Sequence, residues 1–331
     1  MAGVSSNKSV VLITGGAGYI GSHSNKLFSN EGYETVVFDN LSNGHRELAA
    51  YGTFFSGDLT SPEDIQRCLR TYSVESVIHF AGFAYVGESV EKPALYYRNN
   101  IVSTLNLLDC MRECGVHNIV FSSTCSTYGI PQEVPITEDH PQHPINPYGR
   151  SKLTVEHILK DYEQAYGIQH VILRYFNVAG ADPDGEMGEW HVPETHLIPL
   201  VIEAAKGTRP GIDIYGTDYD TPDGTCIRDY IHVADLSNAH VRAMEYMLDS
   251  GKSDCFNLGN GNGFSVREVV GAVEDVTGVR VRTRDVQRRP GDPPVLISSA
   301  EKAEQTLDWR KKYPDLETII EHAWVWHRNR R

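Results

Sequence analysis

The segment that most restricts the fold is VVLITGGAGYIG (10–21), in which an apolar run leads straight into a glycine-rich turn. Gly15, Gly18 and Gly21 stand three residues apart, and a helix-compatible stretch follows. Glycines at this spacing let the backbone turn tightly and approach a pyrophosphate, whose charge is favoured at the N-terminus of the following helix. The segment therefore predicts a strand, a dinucleotide-binding turn and a helix.

Apolar runs of strand length alternate with helical stretches through the first 180 residues. The predicted strands cover residues 9–14, 35–39, 53–58, 76–81, 118–123 and 170–176. Their apolar residues are continuous rather than alternating, as in parallel strands that are covered on both faces. This repetition predicts an α/β fold with a doubly wound parallel sheet.

The composition of the chain changes after about residue 177, where longer loops rich in Gly, Pro and Asp begin. Two later helical stretches, 234–248 and 265–277, predict a smaller α/β lobe. We expect a nucleotide-binding domain at 1–176 and a substrate-binding domain at 177–331, with an approximate boundary across which segments can interleave.

Two acidic residues end the second and third predicted strands. Asp39 lies about twenty residues after the glycine turn, where a carboxylate can accept both hydroxyls of a ribose and would repel a 2′-phosphate. Asp58 is placed to meet the edge of the adenine. The pattern predicts that the cofactor is NAD rather than NADP.

Composition disfavours several classes of function. A net charge of −14 argues against a general nucleic-acid binder. No apolar run reaches the roughly 18 residues of a membrane span, and the N-terminus lacks the pattern of a signal peptide. The six cysteines show no C-x-x-C spacing. We therefore expect no membrane partner and a reduced, cytoplasmic setting.

The stretch NPYGRSKL (146–153) predicts the start of another helix, with Asn146 as its N-cap and Pro147 at its first position. The helix is expected to stop near Gly167. On it, Tyr148 and Lys152 lie one turn apart and share a face.

The glycine spacing, Tyr148 and Lys152 together resemble the extended short-chain dehydrogenase/reductase superfamily, which has a Rossmann fold. Members carry a Ser or Thr at the third hydroxyl position of a run that reads FSSTCSTYG (121–129) in this chain, and that position is Thr124. The resemblance implies a catalytic triad of Thr124, Tyr148 and Lys152.

The triad has a physical reason. A phenol with a pKa near 10 is a poor base at pH 7. A lysine ammonium at about 4 Å could lower that pKa by roughly three units. We therefore expect Lys152 to make Tyr148 a general base near neutral pH, and Thr124 to hold or relay the proton.

Further segments, spread over essentially the whole chain, resemble the UDP-glucose 4-epimerase family. They are HFAGFAYVGESVEKP (79–93), YYRNN (96–100), RYFNVAGADPDGEMGE (174–189), DYDTPDGTCIRDYIHV (218–233) and RRPGDPP (288–294). The resemblance implies NAD-dependent 4-epimerisation of a UDP-hexose through a transient 4-keto sugar. It also implies a homodimer, paired through the helix that carries Tyr148 and the helix across residues 94–114.

The resemblance also implies which residues form the two binding sites. The implied NAD site consists of Gly15, Gly18, Tyr19, Ile20, Gly21, Asp39, Asn40, Asp58, Leu59, Phe80, Ala81, Gly82, Asn99, Tyr148, Lys152, Tyr175 and Phe176. The implied UDP-sugar site consists of Thr124, Tyr148, Asn177, His196, Leu197, Tyr215, Arg228, Arg289, Asp292 and Leu296. In it, Arg228 and Arg289 clamp the diphosphate, Asp292 meets the uridine ribose and Tyr215 faces the uracil.

Two positions depart from the family pattern. Ala84 stands where members often carry a lysine near the cofactor phosphates. Leu296 stands at a position where large aromatic residues suit hexoses and small residues admit N-acetylhexosamines. Leucine is intermediate in size between these two kinds of residue.

Several alternatives stay open or are disfavoured. Epimerases of UDP-pentoses or UDP-GlcNAc share these motifs, and a catalytically silent NAD-binding regulator would keep the glycine turn. A 4,6-dehydratase needs an Asp-Glu pair after the triad threonine, where this chain has Cys125 and Ser126. His191 and His196, five residues apart in a loop that contains proline, are not expected to bind a metal.

Overall fold

Seven parallel strands form the central sheet of this computed structural model, which describes residues 9–289 and 291–330. The strands of the chain are β1 (Val10–Thr14), β2 (Glu34–Asp39), β3 (Thr53–Ser56), β4 (Ser76–His79), β5 (Asn118–Thr124), β6 (Gln169–Tyr175), β7 (Asn177–Ala179), β8 (Ile212–Tyr215), β9 (Ile227–His232), β10 (Asp254–Leu258), β11 (Gly263–Ser265), β12 (Thr283–Val286) and β13 (Val295–Leu296). The helices are α1 (Tyr19–Asn30), α2 (Pro62–Tyr72), α3 (Val86–Glu91), α4 (Pro93–Tyr96), α5 (Ser103–Cys114), α6 (Pro147–Tyr166), α7 (Leu197–Ala205), α8 (Val233–Ser250), α9 (Val266–Thr277), α10 (Glu301–Thr306) and α11 (Leu316–Asn329). A π-helical segment, Tyr97–Val102, joins α4 to α5.

The predicted doubly wound sheet is confirmed. The sheet runs in the order β10-β6-β5-β4-β1-β2-β3, and each of the six predicted strands matches one of β1 to β6 within two residues at either end. The two later predicted helices match α8 and α9. Because β1 has β2 on one side and β4 on the other, the strand order reverses there, and ligands of such sheets bind at the carboxyl ends of the strands beside this reversal.

Alternate residues of each strand serve two separate cores, which explains why the apolar runs are continuous. In β1, Val11 and Ile13 pack with apolar residues of α1 and α8. Leu12 points to the other face and packs with residues of α2, α5 and α6. Both faces of the sheet are therefore covered by helices.

The second half of the chain forms smaller sheets and also contributes to the first one. β9 pairs with β7, β11 and β13, and β8 pairs with β12. Helices α7, α9 and α11 share a third core. β10 pairs in parallel with β6, so one strand of the central sheet comes from beyond residue 177. No helix among the residues described is both long and apolar enough to cross a membrane.

Candidate active site

The glycine turn between β1 and α1 forms a cradle that side chains would fill. A Cβ on Gly21 would lie 2.2 Å from the carbonyl oxygen of Gly15, and a Cβ on Gly15 would lie 2.7 Å from the amide nitrogen of Ala81. Gly18 caps α1 without a side-chain hydrogen bond, and the first turn of the helix carries no acidic residue. The N-terminal amides and the helix dipole are thus available to an anion such as a pyrophosphate.

Asp39 ends β2 beside this turn and is 8% exposed. Its Oδ2 accepts the Ala17 amide at 3.0 Å, and its Oδ1 accepts the Leu41 amide at 2.8 Å. Burial raises the pKa of Asp39, and these two hydrogen bonds oppose the rise. A carboxylate has about four acceptor sites, so two remain for the hydroxyls of a ribose.

Asn40 and Asp58 belong to one polar group at the ends of β2 and β3. Asn40 Nδ2 donates to Asp58 Oδ2 at 2.9 Å, and Thr60 donates twice to Asp58 Oδ1. Burial of Asp58 is outweighed by the bonds from Thr60 and Asn40, which lower its pKa. The group is polar and partly exposed, so it can offer hydrogen bonds to a nucleoside.

The end of β4 is held beside the glycine turn by Asn100, which the sequence analysis did not select. The amide nitrogens of Phe80 and Ala81 both donate to the Thr14 carbonyl. Asn100 is 3% exposed; it accepts the Phe83 amide at 2.8 Å and donates to the Phe83 carbonyl and to Ser151 Oγ, each at 3.0 Å. It thereby joins the loop after β4 to α6. Its neighbour Asn99, the predicted residue, donates to Asn100 Oδ1 at 3.0 Å.

Several predicted cofactor residues have side chains that are committed elsewhere. Tyr19 is buried and its hydroxyl donates to the Gly180 carbonyl at 2.7 Å. The side chains of Ile20, Leu59 and Phe176 pack in three separate apolar clusters. Such residues can contact a cofactor through their backbone. A pattern of residue types does not distinguish contact through the backbone from contact through the side chain.

The three predicted catalytic residues come together from β5 and α6. Thr124 is the last residue of β5, and Tyr148 and Lys152 lie one turn apart on α6. All three are buried, and Thr124 lies close enough to Tyr148 for its hydroxyl to lower the pKa of the phenol. The predicted boundaries of α6 are confirmed, since the Asn146 side chain accepts the Gly149 amide and Gly167 adopts the left-handed C-cap.

A glycine brings α6 close enough to β5 for this contact. A Cβ on Gly149 would lie 2.4 Å from the Ser126 carbonyl oxygen, in the loop just after Thr124. Any other residue would push the start of the helix away from the strand. Gly149 is therefore a positioning residue. In the sequence it is recognisable only as the glycine that directly follows Tyr148.

The direction of the pKa shift of Tyr148 differs from the expectation. Burial, and then the neighbouring phenol of Tyr175, raises the pKa of Tyr148, while the bond with Thr124 opposes the rise. Burial also lowers the pKa of Lys152 to about 8, against the effect of Glu156. The expected near-neutral phenol is not produced by the protein's own groups, because desolvation of a buried charge outweighs the attraction assumed at an exposed one.

The Lys152 ammonium group is nevertheless held in a defined position. It donates to the Ser122 carbonyl at 2.8 Å and lies 4.9 Å from the centre of the Phe121 ring. A Cβ on Gly82, at the end of β4, would lie 3.4 Å from its Nζ. The ammonium therefore lies next to the loop after β4, at the edge of the proposed cofactor site.

The residues predicted to bind UDP occur as pairs in the second lobe. Arg228 of β9 forms an ion pair with Asp292. The guanidinium of Arg289 stacks 3.8 Å from the centre of the Tyr215 ring. The predicted clamp for the diphosphate and the predicted contacts for the nucleoside thus touch each other, so a ligand must bind alongside these pairs or separate them.

Leu296 links this lobe to the triad. In β13 it lies opposite Arg228 of β9, and its side chain packs on the cluster that contains Tyr128, Ile136 and Phe176. Cys125, the residue after Thr124, packs on the same cluster. Leu296, the proposed sugar gate, and the C-terminal end of β5, which carries Thr124, therefore border the same apolar cluster.

His196 and Leu197 stand at the start of α7, with His196 as the N-cap. His196 Nδ1 lies 2.5 Å from Glu189 Oε1, so this imidazole faces a buried carboxylate. Burial lowers the pKa of His196, but Glu189 and Glu194 outweigh it and raise that pKa to about 10. Asn177, in β7, donates to the Asp229 carbonyl at 3.2 Å.

The fold and the site define an NAD-binding enzyme of the extended short-chain dehydrogenase/reductase type. The glycine cradle, the uncapped helix N-terminus and the remaining acceptor capacity of Asp39 fit NAD. Residues 11–259 match the NAD dependent epimerase/dehydratase family, and the chain belongs to that family.

Known relatives narrow the class. A protein of Rhizobium leguminosarum bv. trifolii named UDP-glucose 4-epimerase is 50% identical over 317 residues, which cover 96% of this chain and 97% of the relative. The crystal structure of UDP-glucose 4-epimerase from Brucella ovis in complex with NAD is 51% identical, with a TM-score of 0.94 over 96% of this chain and 97% of that one. The UDP-Glc/GlcNAc 4-epimerase of Campylobacter jejuni is 44% identical, with a TM-score of 0.85 over 97% and 99% of the two chains.

Proposed function

We propose that this protein interconverts UDP-glucose and UDP-galactose by NAD-dependent epimerisation at C4. The observation that carries the proposal is the buried group of Thr124, Tyr148 and Lys152, which lies beside the phosphate cradle and shares a wall with the second lobe. The names of relatives at about half identity over nearly the whole chain support it.

The residues of the triad divide the proton chemistry. Tyr148 takes the proton of the sugar 4-hydroxyl and returns it when the 4-keto sugar is reduced. Thr124, whose hydroxyl acts to lower the pKa of Tyr148, holds that proton between the phenol and the sugar oxygen. Bound NAD supplies the hydride acceptor for C4 and a positive charge that favours the phenolate. Lys152 adds a second positive charge at the same edge.

The second lobe holds the nucleotide while the sugar turns over. Arg228 and Arg289 present planar donors suited to a diphosphate, and Tyr215 offers an exposed ring to the uracil. Strong contacts to the nucleotide and few to the hexose allow the 4-keto sugar to rotate without leaving. We assign NAD binding to the first lobe together with β10, and UDP-sugar binding to the second.

The alternatives use the same site. A UDP-pentose or UDP-GlcNAc epimerase would differ only around the sugar. A silent NAD-binding regulator has no need of a buried group of Thr124, Tyr148 and Lys152. A 4,6-dehydratase would need an acidic pair after Thr124. The first of these positions is Cys125, a thiol whose pKa burial raises to about 12.

We expect the purified protein to convert UDP-galactose without added cofactor, since the cycle leaves NAD chemically unchanged. Turnover is followed by coupling UDP-glucose formation to a dehydrogenase, with UDP-GlcNAc and UDP-arabinose as competing substrates. The supernatant of denatured protein should contain NAD. NADP as the released nucleotide, or turnover of UDP-arabinose alone, would contradict the proposal.

We also propose a homodimer in a reduced, cytoplasmic setting. All six cysteines are free thiols. The π-helical segment and α4, which lie on the predicted pairing face, expose apolar Val102 (47%) and Leu95 (41%). Exposed apolar groups of this kind mark association surfaces.

The dimer is tested with a charge on that face. Light scattering at micromolar concentration should give the mass of two chains for the wild type and of one chain for Val102→Glu. Leu248→Glu, at an equally exposed position of α8 (44%), is the matched control and should stay dimeric. A wild-type mass of one chain would refute the dimer.

A further inference from the structure

Four side chains of metal-ligand type converge in the segment 189–196, directly before α7. They are Glu189, His191, Glu194 and His196, and their ligand atoms all lie within 4.8 Å of one another. From their spacing along the chain, the two histidines were not expected to bind a metal. The fold of the segment places a glutamate beside each of them, so the reason for that expectation does not hold.

Three of the four histidine–glutamate distances within the cluster are close to those around a single small cation, and the fourth is that of a direct ion pair. His191 Nδ1 lies 3.1 Å from Glu189 Oε1 and 3.8 Å from Glu194 Oε1. His196 Nδ1 lies 2.5 and 3.5 Å from the same two oxygens. A tetrahedral ion with bonds of about 2.0–2.1 Å sets its ligand atoms about 3.3 Å apart. Three of the four observed separations are close to that value, whereas His196 Nδ1 and Glu189 Oε1 would move apart when an ion binds between them.

The cluster contains polar atoms that hydrogen bonds do not satisfy. Glu189 is 3% exposed, and its Oε1 meets the imidazoles of His191 and His196 at ion-pair distance but without the geometry of a hydrogen bond, as does His191 Nδ1. In the part of the chain that the structure describes, the ion pairs of Glu189 and Glu194 are all with His191 and His196. Buried groups of this kind are costly unless something pairs with them.

The surroundings hold the ligands in place. Glu194 Oε1 accepts the backbone amides of Thr195 at 2.7 Å and His196 at 2.9 Å. Trp326 Nε1 donates to the Glu189 carbonyl at 3.1 Å. The ring of Trp190 stacks on His45 with centroids 3.7 Å apart, which ties the segment to the loop that follows Asp39. Such outer contacts orient metal ligands.

We propose that Glu189, His191, Glu194 and His196 form a binding site for a divalent transition-metal ion of the zinc type. Two imidazole nitrogens and two carboxylate oxygens suit zinc, whereas magnesium and calcium prefer oxygen alone. The ion braces the segment between the loop after Asp39 and the N-terminus of α7. It takes no part in the proton and hydride chemistry proposed above, and the site does not depend on that proposal.

The test is metal binding by the full-length protein, freed of any purification tag and treated with chelator. Titration with zinc chloride in a calorimeter should show about one tight site per chain. Cobalt(II) should give the intense visible absorption of a tetrahedral ion, and zinc should bleach it. Magnesium chloride should not compete.

Two variants separate the site from a general effect on folding. His191→Ala should weaken zinc binding by at least the 10–100-fold that loss of an outer-shell partner costs. Glu194→Gln keeps an oxygen for the Thr195 and His196 amides and removes only the charge, and it should also weaken binding. His117→Ala, at an exposed histidine, is the matched control and should bind as the wild type does.

The outcomes are distinct. Circular dichroism and the amount of NAD carried show whether each variant is folded. Wild-type affinity in folded His191→Ala or Glu194→Gln, or no tight zinc site in the wild type, would show that the cluster holds only imidazolium–carboxylate ion pairs and would overturn the proposal.

Discussion

Tyr148→Phe is expected to lower kcat for UDP-galactose by at least the 10²–10⁴-fold that general acid–base catalysis supplies. The substitution removes the oxygen that exchanges a proton with the sugar 4-hydroxyl, and it keeps a ring of nearly the same size in a buried position. The protein should therefore stay folded and keep its NAD. Turnover is measured at saturating substrate, together with the NAD released on denaturation.

Two further variants serve as comparisons for that result. Thr124→Val should cost less, because water can partly replace its hydroxyl. Tyr162→Phe, on the same helix, removes a phenol that donates to Asp109 at 3.0 Å and should leave kcat unchanged. Near-normal turnover in Tyr148→Phe would end the proposed mechanism.

Leu296→Cys is expected to raise kcat/KM for UDP-GlcNAc relative to UDP-glucose by about 10–200-fold, the range of small steric changes in a pocket. Leu296 packs on the cluster of Tyr128, Ile136 and Phe176, beside the residue that follows Thr124. An N-acetyl group adds several heavy atoms, which a closely packed wall cannot absorb without movement. The wild type should accordingly turn over UDP-GlcNAc slowly.

The control for Leu296→Cys is the neighbouring residue of the same strand. Val295→Ala shortens a side chain that points to the other face of β13, so it should leave the ratio of the two substrates unchanged. Both variants are compared with the wild type by initial rates on each substrate. Equal efficiency of the wild type on both sugars, or an unchanged ratio in Leu296→Cys, would show that Leu296 is not the gate.

The fold class and the use of NAD were predictable because their signals are local. A strand, a glycine turn and a helix are contiguous in residues 10–30, and the apolar runs record the burial of each strand on both faces. Tyr148 and Lys152 are also local, since the pitch of α6 alone sets them on one face. Asp39 was predictable from the apolar strand that it ends.

Contacts between distant segments were not predictable in this way. The spacing of Tyr148 and Lys152 suggested a lowered phenol pKa, but burial, followed by the electrostatic effect of Tyr175, raises the pKa of Tyr148. Arg228 and Asp292 were assigned to different parts of a ligand, yet β9 and the loop before β13 bring them into one ion pair. Asn100 gave no signal because its partners, Phe83 and Ser151, come from other elements.

The sequence by itself determined the α/β sheet, the dinucleotide turn, the preference for NAD and the positions of Tyr148 and Lys152, because each follows from periodicity, from a turn or from residues a few positions apart. Thr124 was assigned only through the resemblance to the superfamily. Only the tertiary structure decided how buried the triad is and which charged groups pair. It also decided that Glu189 and Glu194 face His191 and His196. Burial and pairing depend on which segments meet in space, and spacing along the chain does not carry that information.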